Sequence, residues 1–302
     1  MKLPSGRWLD IARLRLTRRW ATRGDPRSSR RLAQVIRAAG WTDDRRADPV
    51  VGIVEAEELK LLFEVFEGTP RQGPGSVETT RHALGMLPDS LQVERVLDLG
   101  CGTGGSTLVL AQDTGAHVTA VDIHRPFLEA LRTRAGELGL ADRITTVAAD
   151  MADAPLLGTG FDLVWAEGSA YSIGFEAALR GWRPLLRPGG CLVVSELVWF
   201  HSEPAERARA FFADEYPDMR DEATRIDQAR SAGYDLLGSF RLPAEDWYAY
   251  YAGLELPLHN AISRRGELEV HAGLRREREI YEACGDDYGY VCLVLQVAAR
   301  PT

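Results

Sequence analysis

The chain has 302 residues, 45% of them hydrophobic, and a formal net charge of −8, which suits one large domain with an appendage. No apolar run is long enough to cross a bilayer, no signal-peptide core follows the N-terminus, and the acidic balance disfavours nucleic acid as the partner. Cys101, Cys191, Cys284 and Cys292 form no C-x-x-C pair, so we expect no metal site, no disulfide framework and a cytoplasmic protein; the only lysines, Lys2 and Lys60, disfavour Schiff-base chemistry and a G-K-[ST] nucleotide loop.

Residues 1–48 differ from the rest of the chain. They hold Lys2 and twelve arginines against five aspartates, so the remainder is strongly acidic. Within this basic arm, Arg7–Trp20 shows a rough helical stripe of Trp8, Leu9, Ile11, Leu14, Leu16 and Trp20. A membrane-surface helix, a targeting segment and an accessory arm all fit such a composition. Glu55–Phe66 reads as an amphipathic helix, with Leu59, Leu62, Phe63 and Phe66 at the spacing i, i+3, i+4, i+7. A turn, Arg71–Ser76, precedes a second helix over Val77–Leu87, for which Ser76 is an N-cap without a capping box.

The centre of the chain is Arg95–Leu110, RVLDLGCGTGGSTLVL. It reads as an apolar strand, a glycine turn and a helix opening near Gly104–Ser106, whose N-terminus offers N–H groups to a polar ligand. Gly100, Gly102 and Gly105 also satisfy G-x-G-x-x-G, a weak dinucleotide signal on its own. Asp98, two residues before the first glycine, argues otherwise. A carboxylate there suits a ligand carrying an ammonium group and would repel a pyrophosphate.

Strand and helix then alternate, as in a parallel sheet. His117–Ile123 is a second strand ending at Asp122, which lies 22 residues after Gly100, near the spacing at which an acid meets ribose hydroxyls. Dehydrogenases use the same device, so Asp122 supports adenosine without choosing between cofactors. A helix over Pro126–Leu138 leads to a third strand, Arg143–Asp150, followed by Met151. Phe161–Ala166 is the fourth strand, with Glu167 and Gly168 at its functional end, then a helix over Phe175–Leu185. L-R-P-G-G turns into a fifth strand, Cys191–Glu196. Beyond Phe200 we expect helices over Pro204–Tyr216, Glu222–Gly233, Glu245–Gly253 and Glu267–Ala283, and strands over Tyr234–Leu242 and Tyr290–Val297.

The stretch D-L-G-C-G-T-G, with the R-P-G-G turn before the fifth strand, resembles the class I S-adenosylmethionine-dependent methyltransferases, over most of Arg71–Val297. WAEGSAYSIGFEAALRGWRPLLRPGG is similar, more narrowly, to the small-molecule branch related to quinone-biosynthesis enzymes. The resemblance implies an α/β fold: a doubly wound, mostly parallel seven-stranded sheet, Rossmann-like, its final strand antiparallel, with a helical N-terminal extension. It implies a methyltransferase domain over 49–302, with a cofactor-binding core over 91–200 and substrate-side helices and last strands over 201–302. S-adenosyl-L-methionine is the implied cofactor and a small molecule the acceptor.

Carried onto this chain, the donor would meet Asp98, Gly100, Cys101, Gly102 and Gly104 on the first turn. Asp122 and Ile123 would take the ribose side; Asp150 and Met151 would frame the adenine. The segment before the first strand is then either a lid, with Arg71 and Gln72 facing the ligand, or a plain turn. Methyl transfer from a sulfonium depends mostly on alignment, and a base helps only where the acceptor must lose a proton. The candidates are Glu167, Glu196 and His201, with Tyr171, Ile173 and Trp199 as possible walls of the acceptor pocket. Each has a plainer role as anchor, surface group or packing. The cluster Trp247–Tyr251 is a candidate cap, or a cage for a cation. A dinucleotide-dependent oxidoreductase and a non-catalytic cofactor-binding module stand as alternatives.

Overall fold

The computed structural model describes residues 60–298; the expected arm over 1–48 and residues 55–59 of the first helix lie outside them. The strands are β1 (Arg95–Leu99), β2 (His117–Asp122), β3 (Ile144–Ala148), β4 (Phe161–Ala166), β5 (Leu186–Trp199), β6 (Arg220–Asp221), β7 (Tyr234–Arg241) and β8 (Tyr288–Val297). Seven of them lie in the order β3-β2-β1-β4-β5-β8-β7, and the two-residue β6 pairs with β5. β8 runs antiparallel to both β5 and β7; the other pairings are parallel. The helices are α1 (60–66), α2 (Val77–Leu84), α3 (Gly105–Thr114), α4 (Arg125–Glu137), α5 (Phe175–Trp182), α6 (Glu206–Glu215), α7 (Glu222–Ser231), α8 (Ala244–Arg265) and α9 (Glu269–Cys284).

Strand periodicity builds a core on each side of the sheet. Leu97, Leu99, Val121, Val164 and Ala166 pack with Phe175, Leu179 and Trp182 of α5. Their neighbours Val96, Val118, Ala120, Leu163 and Trp165 face the other way, onto Leu108 and Leu110 of α3 and Leu128 and Leu131 of α4. Successive side chains alternate across a strand, so a strand covered on both faces is apolar except where a buried polar group is paired, as Asp162 of β4 is with Arg187 and the Glu94 and Arg95 N–H groups. All six residues of β4 are buried accordingly. A third cluster joins α6, α8, α9 and β8 beyond the end of β5, around Phe212, Trp247, Tyr251 and Tyr288.

Five expectations need correction. β5 begins at Leu186, not Cys191, because R-P-G-G joins the strand through a register shift opposite Phe161 and Leu163. The helix after β4 ends at Trp182, and Arg183–Leu185 is a 3-10 turn, because Pro184 has no N–H to continue the α ladder. The helix placed over Glu245–Gly253 runs 22 residues, Ala244–Arg265, through Pro257; burial of Trp247, Tyr250, Leu254 and Ala261 along one side overrides the local breaker. Met151–Leu157, where periodicity suggests no element, is a 3-10 segment. Ser76 does make a capping box, with Thr79 Oγ1 accepting from the Ser76 N–H at 2.8 Å in the place of the usual Glu or Gln.

Candidate active site

The glycine turn sits where β1 ends, at the carboxyl edge of the parallel strands. Gly100 and Gly102 have φ of +75° and +53°, which only glycine adopts readily. Space matters as much: a Cβ on Gly100 would lie 2.5 Å from Ser169 Cβ, and one on Gly102 would lie 2.0 Å from Gln72 Oε1. The N–H groups of the turn itself are occupied within the chain. Those of Gly100 and Cys101 both donate to Val121 O, at 2.9 and 3.0 Å. Gly102 donates to Asp122 Oδ2 at 2.9 Å, Thr103 to Gln72 Oε1 at 3.0 Å and Gly104 to Cys101 O at 2.9 Å.

Asp98 is buried and accepts from Thr107 Oγ1 at 2.5 Å, which ties the strand end to the first turn of α3. Burial pushes its carboxyl up to about 7, against the pull of the Thr107 bond; the charge of Glu167 adds to the rise and Arg71 opposes it. Asp122 accepts from the Gly102 and His124 N–H groups, one on each oxygen, and burial raises its pKa against those bonds. Ile123 beside it is 42% exposed, an uncovered apolar side chain at the strand edge. Asp150 caps the 3-10 segment through Ala152 N–H at 2.8 Å, and Met151 Cε reaches to 3.1 Å from where a Gly100 Cβ would stand. Cys101 is buried, with its thiol raised well above the ordinary value by burial. Asp122, through the Gly102 N–H, and Met151, beside Gly100, therefore meet the turn that follows Asp98.

The segment before α2 folds over that turn. Thr103 Oγ1 donates to Pro70 O at 2.8 Å, and Gln72 Nε2 donates to Thr103 Oγ1 at 3.2 Å. Arg71 Nη1 donates to Glu167 Oε2 at 2.6 Å. Glu167 also accepts from Thr80 Oγ1 at 3.0 Å and Trp165 Nε1 at 2.9 Å. With three donors on its two oxygens, Glu167 is placed as an anchor rather than as a base.

The remaining base candidates separate. His201 is half exposed and pairs with Asp287 at 2.9 Å on the surface. Glu196 is fully buried in an ion pair with Arg225 at 3.2 Å and in a short bond from the Tyr216 hydroxyl. Burial lifts its carboxyl to about 7 against both partners. Tyr171, expected as a wall of the acceptor pocket, lines a cavity, and burial pushes its phenol up to about 12.

That cavity, about 150 Å³, begins at Gln72, Pro74 and Gly168 and runs between α1, α6, α8, α9 and β8. Trp247 and Tyr250 of the expected aromatic cluster line it. Ile173 instead packs on the sheet core, and Trp199 stands behind the wall, 5.5 Å from Phe212 ring to ring. Sequence reasoning missed Phe212, Glu215, Glu277, Tyr288 and Tyr290, all of which line the cavity. The one available signal was the recurrence of tyrosine at 281, 288 and 290, after that at 248, 250 and 251.

Known proteins resemble this chain in sequence and in fold. Residues 96–190 match the family model described as a methyltransferase domain. A sterol 24-C-methyltransferase of Gibberella zeae is 29% identical over 180 residues, 55% of this chain and 46% of that protein. An O-methyltransferase of Penicillium expansum is 31% identical over 156 residues, 51% of this chain and 56% of that one. The chain spans about half the length of these curated relatives. A crystal structure of a SAM-dependent methyltransferase from Geobacter sulfurreducens, solved with S-adenosyl-L-homocysteine, superposes with a TM-score of 0.65 at 25% identity, covering 78% of this chain and 96% of that one. The sheet order agrees, since β8 stands between β5 and β7 where a dinucleotide-binding sheet continues in parallel. Residues 96–190 thus match a methyltransferase domain, set in the fold that a SAM-dependent methyltransferase shares.

Proposed function

We propose that the protein transfers a methyl group from S-adenosyl-L-methionine to a small organic acceptor seated in the aromatic cavity. The observation that carries this reading is the junction at Gln72 and Gly168. Gln72 contacts the glycine turn through the Thr103 N–H, Gly168 follows the anchored Glu167, and both line the cavity. Donor and acceptor sites thus share one wall.

The residues present fit the donor. Asp122 keeps acceptor capacity on both oxygens for ribose hydroxyls, since each accepts a single N–H. Ile123 and Met151 offer apolar contact to an adenine, with Asp150 beside them. Asp98, buried beneath the turn, is placed to favour a cationic amine. The bound donor supplies a methyl on a sulfonium, whose departure leaves a neutral thioether. What the protein adds is alignment: Glu167 and Arg71 hold the strap, the strap holds the turn, and the cavity excludes water from the line of transfer. Tyr171 orients the acceptor as a neutral phenol rather than as a base. His201 has no part in this reading.

In the same reading residues 49–302 are the catalytic unit. The donor side falls within 91–200, and 201–302 supply most of the acceptor wall, from Phe211 to Tyr290. The branch related to quinone biosynthesis stays a proposal. Among the described residues no helix is long and apolar enough to cross a membrane. The free, buried cysteines favour a reducing compartment such as the cytoplasm, and the acidic body favours a small molecule over nucleic acid.

Calorimetric titration with S-adenosylhomocysteine, with NADH as control, tests the donor. Binding of the first alone at about micromolar affinity, roughly −8 kcal/mol, is expected. Tight binding of NADH instead would replace this reading with a dinucleotide enzyme.

A further inference from the structure

Three phenols stand in the cavity wall with nothing bonded to their hydroxyls. Tyr171 follows β4, Tyr250 lies on α8 and Tyr290 on β8, and all three line the space. Tyr216 and Tyr251 nearby donate to Glu196 and Glu277, but among the described residues the hydroxyls of Tyr171, Tyr250 and Tyr290 have no hydrogen-bond partner. Tyr250 is 8% exposed, and the other two are half-buried. A hydroxyl shielded in this way costs free energy until an occupant meets it.

The three form one patch. Tyr290 Oη lies 3.6 Å from where a Gly168 Cβ would stand, at the end of β4 beside the anchored Glu167. Burial, above all, raises the three phenols; Tyr171 then adds to the rise of Tyr290, and Glu277, Tyr290 and Tyr171 add to that of Tyr250. Near neutrality each is therefore an O–H donor. An ammonium head would leave those donors unmet. A carboxylate or phosphate would bring a full charge to a wall that, among the described residues, holds no Lys, Arg or His. A neutral oxygen has the lone pairs to accept and carries no charge to bury. Phe66, Leu197, Phe211, Phe212 and Trp247 line the rest of the space for an apolar body.

We infer that the acceptor is a neutral, largely apolar molecule held through a carbonyl or hydroxyl oxygen that accepts from the phenol patch of Tyr171, Tyr250 and Tyr290. The inference rests on the cavity being the acceptor site. It selects ketones, alcohols and phenols over amines, over anions and over bare hydrocarbons. The patch also sets orientation, because Tyr290 turns that oxygen towards Gly168 and the donor side.

The test uses the full chain saturated with S-adenosylhomocysteine, titrated at neutral pH with acetophenone, with ethylbenzene, which has nearly the same shape without the oxygen, and with phenethylamine. Acetophenone is expected to bind more tightly than phenethylamine. Tyr250→Phe and Tyr290→Phe, which remove only an oxygen each, should weaken acetophenone about three- to tenfold and leave ethylbenzene unchanged, the size of one neutral hydrogen bond. Reading the two variants separately covers the case in which one fails to fold. Acetophenone affinity that is unchanged in both variants overturns the inference, as does an equal loss for acetophenone and ethylbenzene. Tighter binding of phenethylamine, or binding of no probe up to millimolar concentration, overturns it as well. Failure to bind S-adenosylhomocysteine would instead overturn the methyltransferase reading, so the two failures are distinct.

Discussion

Arg71 Nη1 lies 2.6 Å from Glu167 Oε2, joining the segment before the sheet to the end of its fourth strand. Both side chains are largely shielded, at 18% and 19% exposure, so the pair escapes much of the screening that weakens surface ion pairs. If it holds the strap over the glycine turn, Arg71→Ala and Glu167→Gln should each weaken donor binding, and the double variant should do little worse than either. A coupling of about 1–2 kcal/mol in a double-mutant cycle on the S-adenosylhomocysteine dissociation constant is the expected result. Additive losses would mean that the pair does not act as a unit.

Asp122 is the strongest candidate for the ribose, because its oxygens are already oriented by two N–H bonds. Asp122→Ala should cost donor affinity about 1–3 kcal/mol, the value of charge-assisted hydrogen bonds to a bound hydroxyl pair. Titration of the variant, with circular dichroism to confirm its fold, checks this. An unchanged dissociation constant would remove the assignment.

Asp98 predicts a pH dependence. In the free protein burial holds its carboxyl at about 7, so near neutrality it is partly protonated. An arriving ammonium group favours the carboxylate and lowers that pKa, so the complex binds fewer protons than the free protein. Affinity for S-adenosylhomocysteine should therefore rise with pH up to about 7 and level off above, with a limit of about tenfold per pH unit on the acid side. Calorimetry between pH 5.5 and 8.5 measures the slope. Asp98→Asn should flatten it and lower the plateau.

The fully buried Arg225 is paired with Glu196 and also donates to Tyr216 Oη at 2.7 Å and Asp218 O at 2.7 Å. Removing it strands a carboxylate in the interior. Arg225→Ala should destabilise the protein by about 3–5 kcal/mol in urea unfolding, whereas Arg180→Ala, which breaks an exposed pair with Glu176, should cost under about 0.5 kcal/mol. Comparable losses in both would show that burial does not govern the difference.

How far the chain could be read by itself follows from the range of the forces involved. The strand–turn–helix at Asp98–Gly104, the apolar run of β4 and the spacing to Asp122 are local: periodicity, glycine torsion and strand ends declare themselves within a few residues. The glycine turn was legible for that reason, and so was the antiparallel final strand once the resemblance was drawn. Tertiary packing decided the rest. Only the fold brings Arg71 to Glu167, 96 positions away, converting an apparent base at a strand end into an anchor. Only the fold sends His201 to the surface and Glu196 into a buried ion pair. The aromatic cavity draws its wall from Leu62 to Tyr290, on helices that look individually like ordinary amphipathic segments. Glu215 and Glu277 are ordinary helical acids in the chain, and only the fold sets them in the cavity wall.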